Sequence, residues 1–399
     1  MRERVVVTGL GVVAPIGATR EAFFDGLDDG RSGIARSDNN GDGGDGIGLA
    51  ARVADAGARR FVEPRALRRM ARVTQLAVAA AHEALAQGAL DGSFAKERCG
   101  IVLGTGLGSL RETMEFVTGF VRGGPEAASP MLFPSSVMNA AAGQLAIELG
   151  FRGTNTTINH REASPIDALM VARDLLVLGR ADALLVGGVD ELSPPSALGY
   201  RALGRLSPTG MRPYARDRDG SVAGEGAAIL LLERESDARR RGARPLAAIA
   251  GAASSGSERP RVGWGRAWEG AARTIARALD EARLAPDAID YVCGQGAGLP
   301  VDALEARAVV RAVGERAPIG SILGQVGDCM ASGALRAAAA IYALERQRLP
   351  GTAGAGEPDP EAPLPNLVRD PRPQPVRAVL LPSLAQGGSD AALVLAAAD

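Results

Sequence analysis

Short apolar runs that stop at glycine alternate with stretches of helical spacing along this 399-residue chain, and that alternation restricts its fold more than any other feature. Cys99 to Gly104 (CGIVLG), Ala183 to Gly187 (ALLVG) and Ala227 to Leu232 (AAILLL) read as strands buried on both faces. Between such runs, Met70 to Ala86 places Leu76, Ala80 and Leu85 at helical intervals. The second part repeats the style. Leu246 to Gly251 and Ile289 to Cys293 read as strands, and Trp268 to Ala282, Ala303 to Val313 and Gly333 to Leu344 as helices. Strands at Ala378 to Leu381 and Ala391 to Leu395 follow. The expectation is an α/β fold of two unequal halves, residues 1–245 and 246–399.

Met1 to Ala14 admits two readings. A basic start before apolar residues suggests a short signal peptide. The alternative is a buried strand, Val5-Val6-Val7, entering a tight turn at Gly9-Leu10-Gly11. Arg2-Glu3-Arg4 is not strongly positive and glycines interrupt the apolar run, so the strand is preferred and a cytoplasmic protein expected. Gly9, Gly11 and Ala14 also satisfy a G-x-G-x-x-A pattern, yet no strand ending in an acidic residue follows about twenty positions on. Asp38 to Gly46 lacks the closing glutamate of a calcium loop and reads as a solvated turn. Gly351 to Pro365 reads as an irregular loop.

Composition removes whole classes of function. A net charge of −1 leaves no footprint for nucleic acid, and no apolar run is long enough to span a membrane. Three separated cysteines, Cys99, Cys293 and Cys329, make neither a disulfide framework nor a CxxC metal site. The HREAS stretch lacks the second histidine of a zinc helix. Histidine occurs only at His82 and His160 and lysine only at Lys96; the other 44 basic residues are arginine. His82, inside the Met70 to Ala86 helix, reads as a helix residue without chemistry.

Several segments, in chain order, resemble the β-ketoacyl synthase family of the thiolase fold. They are Val5 to Gly11 with Pro15-Ile16-Gly17, Pro134 to Asn139 with Gly143, and Gly150 to Gly153. Gly179 to Asp182 leading to Gly187-Gly188 and Glu191 follows. Arg212-Pro213-Tyr214 with Arg218-Asp219-Gly220, Gly224 to Gly226, and Gly387 to Asp390 complete the series. The resemblance implies a five-layered α-β-α-β-α molecule of two similar halves. It also implies dimerisation, with an acyl tunnel running up to the subunit interface. A working member uses a cysteine at a strand-to-helix elbow, two histidines and a lysine, with no cofactor and no metal; the helix dipole favours the thiolate.

Carried onto this chain, the nucleophile position falls on Glu162, the first histidine on Cys293, the lysine near Gly320 and the second histidine on Gln325. The phenylalanine that gates the tunnel corresponds to Gln386, and the stretch around Asp328 to Met330 carries a short insertion. Thr154 to Ile158 reads as the strand before the elbow, with Ser164, Pro165 and Asp167 as a capping pattern for a helix ending at Gly179. Glu162 at that helix start reads as a pocket-filling or capping anion, because acylation of a carboxylate gives an anhydride, far more reactive than a thioester.

With every catalytic position replaced, the resemblance points to a chain-length-factor subunit. Such a subunit pairs with a catalytic ketosynthase α and shapes a tunnel fed by acyl carrier protein through its phosphopantetheine arm. Tunnel or interface candidates are Met114, Phe116, Phe120, Met131, Leu132, Phe133 and Met138, each with ordinary core packing as the competing reading. His160 and Gln386 join them. Two alternatives stand beside this. One is a different enzyme on the same scaffold, with His160 and Glu162 sharing one cavity for acid–base work or Cys293 as nucleophile. The other is a non-catalytic homodimer that binds acyl chains.

Overall fold

The computed structural model describes residues 3–37, 47–90, 92–257, 267–361 and 364–398; the acidic turn at 38–46 lies outside them. Ten strands form the principal sheet: β1 (Val5–Val13), β2 (Cys99–Gly104), β3 (Asn155–Ile158), β4 (Ala183–Asp190), β5 (Gly226–Arg234), β6 (Ala247–Gly256), β7 (Tyr291–Cys293), β8 (Ile319–Gly320), β9 (Ala378–Leu384) and β10 (Ser389–Ala396). Their spatial order is β8-β7-β9-β10-β6-β1-β5-β4-β2-β3. Read outward from the centre, each half has its first strand innermost, then its fifth, fourth, second and third. The two halves therefore share one topology. They meet where Val6 and Val7 of β1 pair with Ala248 and Ala247 of β6.

Helices complete five layers. Helix α1 (Arg72–Gln87) covers β1 and β5 on the outside of the first half, followed in the chain by α2 (Leu110–Gly123) and α3 (Ala140–Leu149). Helix α4 (Ser164–Val177) lies between the halves, touching β2 and β4 on one side and β6 and β10 on the other. After α5 (Pro194–Ala202), α6 (Ala267–Ala282) and α7 (Val301–Val313), the helix α8 (Ser332–Arg346) joins α4 in the middle layer. Every residue of α8 from Ser332 to Leu344 is buried, because sheet lies on both sides of it. No helix among the described residues is long and apolar enough to cross a membrane.

One local expectation is corrected. Gly9 and Gly11 do not form a tight turn; β1 continues through them, with a register shift against β5 between Val7 and Gly9. A Cβ at Gly9 would stand 2.0 Å from the carbonyl oxygen of Ala84, and one at Gly11 would stand 1.8 Å from that of Ala80. Glycine is present so that α1 can press on the strand, and the dinucleotide-like spacing is a by-product of helix–sheet packing.

Candidate functional site

The elbow between β3 and α4 is built by a left-handed residue. After Ile158 the chain leaves the extended conformation, and Arg161 takes φ 54° at the start of the 3-10 turn Arg161–Ala163. The backbone N–H of His160 donates to Ser164 Oγ at 2.8 Å, and that hydroxyl donates to the carbonyl of Arg161 at 2.6 Å. Ser164 thus ties the turn to the helix. Because Arg161 breaks the extended repeat, His160 and Glu162 point in different directions.

Glu162 points inward and is buried. Its Oε1 receives Nη1 of Arg205 at 3.3 Å, and its Oε2 receives the backbone N–H of Gln386 at 3.1 Å. The hydroxyl of Ser383 donates to its carbonyl oxygen at 2.8 Å. Arg205 is equally buried and gives Nη2 to Asp328 Oδ2 at 3.2 Å, where Ser221 also donates. Burial opposes the guanidinium charge, but Asp328 and Glu162 outweigh it and raise the pKa of Arg205 above its ordinary value. The ring of Tyr200 lies 5.4 Å from the guanidinium carbon. A carboxylate–guanidinium–carboxylate triad therefore fills the elbow, and Glu162 fastens it to the loop that follows β9. The capping reading of Glu162 is corrected: its side chain turns to Arg205 and Gln386, not to the first amides of α4.

His160 points outward. Its Nδ1 lies 2.7 Å from Oδ2 of Asp167, which is buried, while the imidazole itself is more than half exposed. Asp167, expected to complete a cap, serves the histidine instead. The shared cavity proposed for His160 and Glu162 does not form, for the reason given by Arg161.

Cys293 ends β7 and is wholly buried, and burial pushes its thiol up to about 12. A thiol held neutral in this way is a poor nucleophile, which removes the structural basis for covalent work at Cys293. The nearest cation is a buried arginine, Arg336 of α8, whose Nη1 donates to the Cys293 carbonyl at 3.1 Å and to that of Pro382 at 2.6 Å. Gln325 is buried too, and neither polar atom of its amide has a hydrogen-bond partner. His82, half-buried, stacks on Phe61 with ring centroids 4.7 Å apart, and burial lowers its pKa. Among the described residues no group of three or more metal-ligating side chains converges. Sequence reasoning missed Arg205 and Asp328. Nothing local marks Arg205, and Asp328 falls in the inserted stretch.

The tunnel candidates lie elsewhere, on α2 and the segment after it. None of the seven is in the core, and Met114, Phe120, Met131, Phe133 and Met138 are exposed. Phe116 and Leu132 are half-buried, and Phe116 packs against Phe133 with centroids 5.6 Å apart. Helix α2 has no buried residue at all, although its sequence is strongly amphipathic. Val121 is 74% exposed and Met131 66%. Beside this face, β3 pairs with β2 alone, so its other edge offers unpaired backbone groups among the described residues.

Comparison with known proteins agrees along the whole chain. The family model for the β-ketoacyl synthase N-terminal domain matches residues 2–238, and that for the C-terminal domain matches 246–355. The chain is 34% identical to the tetracenomycin polyketide synthase ketoacyl synthase alpha subunit of Streptomyces glaucescens, covering 99% of this chain and 97% of that one. It is 31% identical to a 3-oxoacyl-[acyl-carrier-protein] synthase 2 of Synechocystis sp., over 98% and 97% of the two chains. Among solved structures, the ishigamide ketosynthase/chain length factor superposes with a TM-score of 0.90 at 30% identity, over the full length of both chains. A type II polyketide ketosynthase solved with its acyl-carrier protein superposes with a TM-score of 0.88 at 26% identity.

Proposed function

The chain belongs to the β-ketoacyl synthase family, and from that premise we propose that it is a non-condensing, chain-length-factor-like subunit. It pairs with a catalytic ketosynthase α, which receives the growing acyl chain from an acyl carrier protein, and it supplies part of the tunnel wall. The observation that carries the reading is the occupant of the elbow. Where the family places a thiolate, this chain has a buried carboxylate held by Arg205 and by the N–H of Gln386, the residue at the gate position. An acyl thioester would have to displace that ion pair to reach a group that is itself a poor acyl acceptor.

Two further observations support the pairing. Helix α2 presents an apolar face that its own chain leaves uncovered, and β3 offers an open edge next to it. One partner could cover both. The solved structure of a ketosynthase/chain length factor over the same full length supports the same assembly.

The test is co-expression with a catalytic type II ketosynthase α. The expected result is a stable one-to-one pair in which only the partner forms a carbon–carbon bond, and in which Phe116→Ala or Phe133→Ala lengthens the product. Condensation by the isolated chain, or a stable homodimer that ignores the ketosynthase, would overturn the reading.

A further inference from the structure

The His160–Asp167 pair has no part in the interior triad, and its geometry suits a task on the outside. Asp167 Oδ2, a carboxylate oxygen, accepts the hydrogen bond from Nδ1–H, which in the neutral ring leaves the lone pair of the imidazole on Nε2. Because Asp167 is buried and His160 is not, the ring is anchored at one end and offered at the other. Neither nitrogen has another partner among the described residues. A flexible surface histidine would pay rotamer entropy to bind anything; this one is already held.

Its position is equally specific. His160 stands two residues beyond the open-edged strand β3. Asn159 beside it donates its amide to the carbonyl of Gly106 at 3.1 Å. Two residues further on, a Cβ added to Gly108 (φ 60°) would come within 3.1 Å of Met138, on the exposed apolar face. The imidazole therefore lies on the same side as the segment that packs at Met138, among exposed polar neighbours that include Asn159 and Arg161.

We propose that His160, positioned by Asp167, is a recognition residue for the ketosynthase partner. Its Nε2 accepts a hydrogen bond from a hydroxyl or N–H donor on that subunit. The inference rests on the pairing reading above. An oriented acceptor buried by a partner discriminates between partners, because a subunit without the matching donor leaves that nitrogen unsatisfied.

The experiment measures the dissociation constant between the purified chain and the catalytic ketosynthase α for wild type, His160→Ala and His160→Gln. A loss of about tenfold is expected for His160→Ala, with partial recovery for His160→Gln, which keeps an acceptor. The thermal midpoint of the isolated chain should fall modestly for His160→Ala, which leaves the buried Asp167 without its partner, so affinities are compared at a temperature where every variant is folded. With only two histidines in the chain, ¹⁵N-histidine labelling adds a second readout. The Nε2 resonance of His160 should shift when unlabelled ketosynthase is added, while Nδ1 stays protonated. Unchanged affinity together with an unmoved Nε2 resonance overturns the inference while leaving the pairing intact. A change in product length with unchanged affinity also overturns it, because the ring would then touch the growing chain and not the protein. Failure of the wild-type chain to bind the ketosynthase at all defeats the pairing reading, and this inference falls with it.

Discussion

The elbow at Glu162 and the face of α2 are opposites. At the elbow, two acidic groups and one guanidinium are buried and paired, with Nε of Arg205 alone lacking a partner among the described residues. On α2, several large apolar side chains, Met114 and Phe120 among them, are exposed, and none of the helix's residues is buried. Charge pairing closes the interior of the elbow, whereas apolar area is left open on α2, so the two regions respond to substitution in different ways.

The largest effect that would break the contrast comes from the interior. Arg205→Met leaves Glu162 and Asp328 facing each other without a cation and should cost about 3–5 kcal/mol, read from the urea midpoint of the chain. On the face, Phe120→Asp should weaken pairing by about 2 kcal/mol or more, roughly 30-fold, while the chain's own stability changes by no more than about 0.5 kcal/mol. A loss of stability at Phe120 matching that at Arg205 would erase the distinction between the two regions.

A third measurement examines the hinge between them. Glu191 Oε1 accepts the N–H of Arg111 at 3.1 Å and its Oε2 accepts that of Val73 at 3.2 Å, so it holds the root of α2 to α1. Burial, reinforced by the neighbouring Glu112, pushes its carboxyl up to about 7. A folded pKa above the unfolded one means that the folded state holds the proton more tightly. The stability contributed is complete near pH 4 and is lost as pH rises through about 7. Unfolding free energy should therefore fall by about 1–3 kcal/mol between pH 5 and pH 8. Glu112→Gln, by removing the like charge, should move that decline to lower pH. The smallest effect is at Phe116, where truncation to Ala removes a ring pair worth about 0.5–1.5 kcal/mol, read as a slight shift in thermal midpoint.

The sequence made the fold class legible because buried strands and amphipathic helices carry different periods, and ordered motifs along the chain identified the family. Its strand limits were less exact. β6 extends to Gly256, beyond the apolar run, because β10 pairs with it as far as Ser389. Glu162 could be placed at the elbow from the local pattern of strand, Ser164 and Pro165, but its partners could not. Arg205 lies 43 residues from Glu162 and 123 from Asp328, and one arginine among 44 carries no label. The exposure of α2 was hidden for another reason: helical period tells that a face is apolar, not whether the same chain or another covers it.

The buried triad also bears on how the protein could change. Placing a cysteine at position 162 by itself would withdraw one of the two anions that hold Arg205, leaving a thiol beside a guanidinium still bound to Asp328. A thiol there would need compensating exchanges at Arg205 or Asp328, far away in the chain, for the interior charges to stay balanced.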